Sequence, residues 1–291
     1  MFQPVIQRTR TPAEYQDKVG TTAARTRVGP AATIRAGHPM PNRGEPVPQQ
    51  PMTTALGRAA AVGPFFSVRT RAGAPREQGF LPFAEVYREG VSLALSHRVE
   101  TVATRLGTAE RRVAASLVYQ GLAGRLWSVA LGPAVLAGDV PDLDADTLWW
   151  HPDRSTPEEL WLPAPTVLTT ASDEALAARL AEAVVHHHLE PLHRALGAVS
   201  PVSPRLLWGN AASALVGTLR VLHGWCSGHG HREAAERAVA LTASLLDTAP
   251  LRDTGTFDPV TPAFSRNSCC LYYRVPGGGL CGDCALRHVE R

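Results

Sequence analysis

From Val91 onward apolar residues return every three or four positions, and this spacing constrains the fold more than any other feature of the 291-residue chain. Val91, Leu95, Val99, Val102 and Leu106 share one helical face. Gly107 is a stop signal, and Thr108 is placed to cap the next helix. That helix carries Val113, Leu117, Gly121, Leu122 and Val129 along one side. Gly121 and Gly124 each cost about 1 kcal/mol relative to Ala, so a close backbone approach is expected there. Leu131-Gly132-Pro133 predicts its end.

A different texture follows. The stretches LWW (148–150), ELWL (159–162) and TVLTT (166–170) are short, aromatic and β-branched, and Pro-rich turns separate them. They predict two or three small strands, one pair forming a hairpin. Helical spacing resumes at Asp173 and runs through Leu176, Leu180, Val184 and His187, until Pro191 kinks or breaks it. Ser203-Pro204 is a helix start, with Leu207, Ala211, Leu215 and Leu222 inward and Gly224 at the end. A last helix is expected over about 231–247, with Ala235, Val239, Thr242 and Leu246 inward. The fold class is therefore mainly α, a helical body with a small β-hairpin insertion.

Residues 1–75 show no sustained period and are rich in Pro, Gly, Thr and Arg. Such a segment buries too little apolar area to offset its ordering entropy, so a loosely ordered tail is expected. The tail is basic, a candidate contact for a partner or for anionic lipid at the inner membrane face. The division expected is a tail over 1–75, a helical body over 76–260 and a C-terminal segment over 261–291. The formal net charge of +3 argues against a nucleic-acid-coating protein. Five cysteines are too few for a secreted disulfide scaffold. The N-terminus lacks a signal-peptide apolar region, and LWSVALGPAVLAG (126–138) is too short to span a bilayer. A soluble, cytoplasmic protein is expected.

In that reducing compartment the distribution of sulfur is informative. Cys269, Cys270, Cys281 and Cys284 fall within CCLYYRVPGGGLCGDC (269–284), leaving only Cys226 elsewhere. The second pair is a C-x-x-C metal knuckle, and Gly282 inside it leaves backbone N–H groups free to face sulfur. The first pair is unusual. Adjacent side chains diverge in extended backbone, which makes an awkward chelate for one tetrahedral ion. Two irons side by side let each thiolate find a metal, so four cysteines suit a [2Fe–2S] cluster. A single zinc is the alternative. Pro276-Gly277-Gly278-Gly279 allows the reversal that folds one pair onto the other.

The segment SCCLYYRVPGGGLCGDCAL (268–286) resembles the C-terminal signature of FhuF-like ferric-siderophore reductases, a pattern of CC-x-x-YR-x-P followed by C-x-x-C. SLVYQGLAGRLWSVALGPAVLAGDVPDL (116–143) and RLLWGNAASALVGTLRVL (205–222) resemble the helical body of that family, so the likeness spans about 85–288. It implies a C-terminal iron–sulfur loop in which Cys269, Cys270, Cys281 and Cys284 hold a [2Fe–2S] cluster. It also implies an iron–sulfur oxidoreductase that reduces the ferric iron of a siderophore. Hard oxygen donors hold Fe(III) far more tightly than Fe(II), so one electron releases the metal, and no general acid or base is required. In a one-electron couple about 59 mV is a factor of ten, so a mismatch of roughly 300 mV disfavours transfer by about 10⁵. No flavin or nicotinamide fingerprint is present, which implies an electron-donor protein, a ferredoxin or a flavin reductase.

Arg274, Tyr273 and Gly282 are expected to surround the cluster. Tyr272 and Tyr273 would shield it, while Arg274 would favour its reduced form. Arg266, Arg274 and Arg287 are candidate contacts for an acidic donor. The cluster itself is expected near the surface. His188, Trp208 and Asn210 are candidate substrate-binding residues, the first through the family resemblance of the HLEPL stretch. His187 falls on the apolar stripe and reads as a core histidine. Cys226, His229 and His231 offer too few ligands for a zinc site and read as a turn with a free thiol. A binding or iron-sensing protein, in which the cluster or a zinc only staples the C-terminus, is the rival class.

Overall fold

The computed structural model describes residues 52–168 and 172–288. Helix α1 (Met52–Ala60) buries Met52, Ala55, Leu56 and Ala59. The expected loose tail is therefore corrected for 52–75: α1 and the turn at Pro64–Phe66 pack on the body, because four apolar residues at helical spacing find a partner there. The rest of the expected tail lies outside the described residues. After β1 (Leu81–Pro82) and the single turn α2 (Phe83–Val86) comes α3 (Leu93–Leu106). The Ser92 hydroxyl accepts from the Leu95 N–H at its start, and Gly107, at φ 63°, closes it as the sequence indicates. Val91 precedes the helix and is exposed.

Helix α4 (Arg111–Ala137) is the centre of the fold and packs most extensively against α7 (Pro204–Gly228). Glu110, not Thr108, is its N-cap; the Thr108 hydroxyl instead accepts from the Glu110 N–H at 3.2 Å. Pro133 does not end α4, which runs on to Gly138. Burial on all sides holds the helix through the one missing backbone hydrogen bond. A close approach is found at Gly132, where a Cβ would stand 2.9 Å from both the Ala59 Cβ and the Phe66 Cδ1, whereas at Gly124 the nearest atom is the Phe65 ring at 4.0 Å. Arg125, inside α4, is 2% exposed. It pairs with Glu159 (Nε to Oε1, 2.5 Å) and donates to the backbone carbonyls of Phe65 and Ser67. One buried cation thus ties two surface segments to the central helix.

The small strands form two sheets. β1 pairs antiparallel with β3 (Trp149–Trp150), and β3 with β4 (Leu160–Trp161), so the expected hairpin exists but recruits a strand from far upstream. β2 (Val140–Pro141) pairs with β5 (Val167–Leu168). α5 (Asp173–Leu180) then leads without a break into a π-helix, Ala181–Leu189, and on into α6 (Glu190–Val199). The wider turn shifts the helical phase by one residue. In consequence His188 is fully buried, while His187 is exposed beside Glu182. The expectation for His187 is corrected: a strict 3.6-residue period cannot anticipate the insertion. The Glu190 N–H closes the π-type ladder on the Val185 carbonyl just before Pro191, which has no N–H to contribute and leaves the helical path intact.

α7 runs past Gly224 to Gly228 and is followed by α8 (Arg232–Leu246). A hairpin of β6 (Gly255–Asp258) and β7 (Ala263–Arg266), not anticipated from the sequence, then delivers the chain to the cysteines. All described residues belong to one compact unit, cysteine segment included. Among them, no helix is long and apolar enough to cross a membrane. The architecture is mainly α with small sheets.

Candidate metal centre

The cysteine segment leaves β7 at Arg266 and lies against α4 and α7. Cys270, Cys281 and Cys284 are buried together with Tyr272 packed on them, and Cys269 beside them is partly exposed. The Gly-rich reversal forms as the sequence implies. Gly277 takes φ 70°, and Gly278 passes so close to the Tyr272 and Val275 carbonyls that a Cβ would stand 2.6 Å and 2.8 Å from them. The Cys284 N–H bonds to the Cys281 carbonyl at 3.2 Å and closes the knuckle.

Backbone N–H groups do face sulfur, but in the first pair. Leu271 adopts φ 67°, a left-handed conformation that costs a branched residue about 1–3 kcal/mol. Its N–H points at the Cys269 Sγ at 3.3 Å, and the Tyr272 N–H serves Cys270. Such a concavity of successive N–H groups is suited to an anion. The Cys281 thiol donates to the Cys270 sulfur, which holds Cys270 below the usual thiol range and pushes Cys281 above it. Burial raises the Cys269 thiol, and the Leu271 N–H partly opposes this.

A polar network fastens the loop to the body. The Ser116 hydroxyl of α4 donates to the Cys270 carbonyl at 2.7 Å. The Asn210 amide of α7 donates to the Ser116 carbonyl and hydroxyl, at 2.8 Å and 2.9 Å, and its Oδ1 accepts from the Arg266 guanidinium at 2.6 Å. Asp283, between the two knuckle cysteines, accepts from the Ser213 hydroxyl and from Arg220, both on α7. Its backbone carbonyl accepts from the Arg266 N–H at 3.2 Å. Gly209 permits this contact, since a Cβ there would meet the Ser268 hydroxyl and stand 3.1 Å from the Arg266 Nη2.

The other sequence-derived candidates are dispersed. Arg274 pairs with Glu110 at 2.9 Å, and its Nε donates to the Tyr273 hydroxyl. Tyr273 is exposed, so Tyr272 alone of the two packs on the cysteines. Gly282 is exposed with open space beside it. Arg266, a candidate surface contact from the sequence, is 2% exposed and cannot meet a partner, whereas Arg287 is on the surface. His188 is fully buried; its Nδ1 accepts from the Tyr87 hydroxyl at 2.8 Å and its Nε2 donates to the Leu143 carbonyl. Asn210 is equally buried, and Trp208 is half-buried against His193. Cys226 lies in α7 as a free, buried thiol, with His229 and His231 stacked on Trp225 beyond it. Ser116, Asp283 and Arg266 escaped sequence reasoning in these roles, and only the Asp within C-G-D-C carried a visible signal.

Among the described residues, no three His, Cys, Asp or Glu side chains are arranged to hold a single metal ion. The chemistry of the site fits a two-iron cluster: four thiols gathered in one place, N–H groups turned toward sulfur, and a buried cation. That cation, Arg266, keeps Nε and Nη1 without partners, and the Ser268 hydroxyl beside it is also unpartnered. Buried donors without acceptors are costly, and the sulfur of a cluster held by these thiols would supply acceptors.

Two family models match the chain. Residues 266–286 match the FhuF 2Fe-2S C-terminal domain, so the cofactor is a [2Fe–2S] cluster. Residues 140–257 match the family described as ferric iron reductase FhuF-like transporter, which covers the strands after α4 and the helices α5 to α8. A search of curated proteins gives no match. Both the cysteine loop and the helices beneath it are thus similar to the FhuF-like family, which supports placing the chain with it.

Proposed function

We propose that this chain is a ferric-siderophore reductase that acts in the cytoplasm, with Cys269, Cys270, Cys281 and Cys284 as the cluster ligands. Held by these thiolates, a [2Fe–2S] cluster supplies one-electron transfer. A donor protein, a ferredoxin or a flavin reductase, delivers the electron, and Fe(III) in a siderophore receives it. Release follows because the oxygen donors of the siderophore hold Fe(II) weakly.

The single observation that carries this reading is the gathering of four thiols under a thin cover, with one edge open. Cys269 is partly exposed, and Pro276, Gly277, Gly279, Leu280 and Gly282 of the covering loop are exposed. Electron exchange needs proximity, not a deep substrate pocket. The residues around the thiols hold charge in place: the N–H groups of Leu271 and Tyr272 serve sulfur, and Tyr272 limits water.

Burial of Cys270, Cys281 and Cys284 favours a second reading, in which the chain binds a siderophore or senses iron and the cluster only staples the C-terminus. One experiment separates the two. The pre-reduced protein is mixed with a panel of ferric siderophores in a single turnover, with a ferrous trap present. A reductase is reoxidised by at least one of them, and Cys269→Ser abolishes that step. A protein whose visible spectrum never recovers belongs to the second reading.

A further inference from the structure

Among the described residues, Arg266 is a buried cation with unpartnered N–H groups. It is 2% exposed, and none of the described carboxylates pairs with it. The nearest one on its flank, Asp283, is already engaged by Ser213 and Arg220 and offers Arg266 only its backbone carbonyl. The guanidinium makes two hydrogen bonds, both from Nη2, to the Asn210 Oδ1 at 2.6 Å and the Leu206 carbonyl at 3.4 Å. Nε and Nη1 have no partner. A buried, unpaired cation costs several kcal/mol, and truncating side chains would be the cheaper way to fill the space. Its remaining N–H groups therefore call for an acceptor other than a described carboxylate.

The geometry puts the cysteines beside it. The Arg266 backbone N–H donates to the carbonyl of Asp283, between Cys281 and Cys284, at 3.2 Å. Asn210, which accepts from its guanidinium, also donates to Ser116, whose hydroxyl donates to the Cys270 carbonyl. Four thiolates and two bridging sulfides leave a [2Fe–2S] centre anionic when oxidised and one charge more negative when reduced. A fixed positive charge in a low-dielectric site stabilises the second state more than the first.

We propose that Arg266 is the buried counter-charge of the cluster: its free guanidinium N–H groups donate to cluster sulfur, and Asn210 holds it there. This rests on the four-cysteine ligand set proposed above. Arg266 is a positioning and tuning residue that raises the reduction potential. The sequence alone points instead to Arg274, which the fold sends to Glu110 on the surface.

Two measurements test this. The first is the midpoint potential of Arg266→Gln, titrated against the unmodified protein and Arg274→Gln. Arg266→Gln shifts the reduction equilibrium at least tenfold toward the oxidised form, about 59 mV for a one-electron couple, and Arg274→Gln leaves it within twofold. The second uses the unmodified full chain with nitrogen-15 in its arginines, reduced and examined by pulsed electron paramagnetic resonance. A guanidinium nitrogen coupled to the cluster is expected, and it persists in Arg274→Gln. An unchanged potential in a cluster-bearing Arg266→Gln overturns the proposal, as does a reduced cluster with no nitrogen-15 coupling. If Arg266→Gln fails to retain a cluster, the coupling in the unmodified chain decides alone. A chain that gives no paramagnetic reduced state at all overturns the ligand set itself, a distinguishable failure.

Discussion

Replacing Asp283 with Ala tests what keeps the cysteine loop on the body. The carboxylate is 9% exposed and takes two charge-assisted hydrogen bonds from α7, from Ser213 and Arg220. Ser213 is 5% exposed, so losing its acceptor leaves a buried hydroxyl unsatisfied at about 1–3 kcal/mol. Arg220 is 40% exposed and regains water, which limits that pair to about 0.5–1 kcal/mol. The loop should therefore detach about 1.5–4 kcal/mol more easily. If cluster loss requires that detachment, release to a chelator accelerates roughly 12- to 700-fold. Decay of the visible absorbance under chelator measures it. Arg220→Met should accelerate release only a few-fold, and the double variant should fall short of the product because the two share one bond. Release from Asp283→Ala within threefold of the unmodified protein would refute the reasoning.

Two further outcomes follow from buried polar groups. Burial lowers the His188 pKa to about 4, mainly by desolvation, whereas in the unfolded chain it returns to about 6.5. As pH falls below 6.5 the unfolded state takes up the proton first, so stability is complete above that pH and declines down to about 4, by up to about 3 kcal/mol. Chemical denaturation across this range should show the slope, and His188→Gln should flatten it. Arg125→Met leaves Glu159 charged and unpaired inside the protein and should cost about 3–5 kcal/mol in the same assay, while adding Glu159→Leu recovers part of the loss.

The helical body was legible because apolar spacing and terminal signals are local. Gly107 stops α3 as the sequence states, since only its own left-handed backbone is required. Where the neighbours decide, local rules failed. Pro133 sits inside α4 because the surrounding core outweighs one lost hydrogen bond. His188 displaced His187 from the core because a π-turn shifted the phase. β1 joined β3 across a long span of chain, a pairing for which no short-range signal exists.

The same division runs through the metal centre. Four cysteines at their spacing, with the Gly-rich reversal between them, point to a metal loop from the letters alone, because ligand type and chain geometry are properties of one short segment; the choice of two irons over a zinc came with the family resemblance. Which charges surround that loop was a different matter. Arg274 lies between the cysteine pairs in sequence yet turns to Glu110, and Arg266 precedes them yet sits inside with Asn210. Electrostatic surroundings depend on distances between segments far apart in the chain, and only the packing of β7 against α7 fixes those.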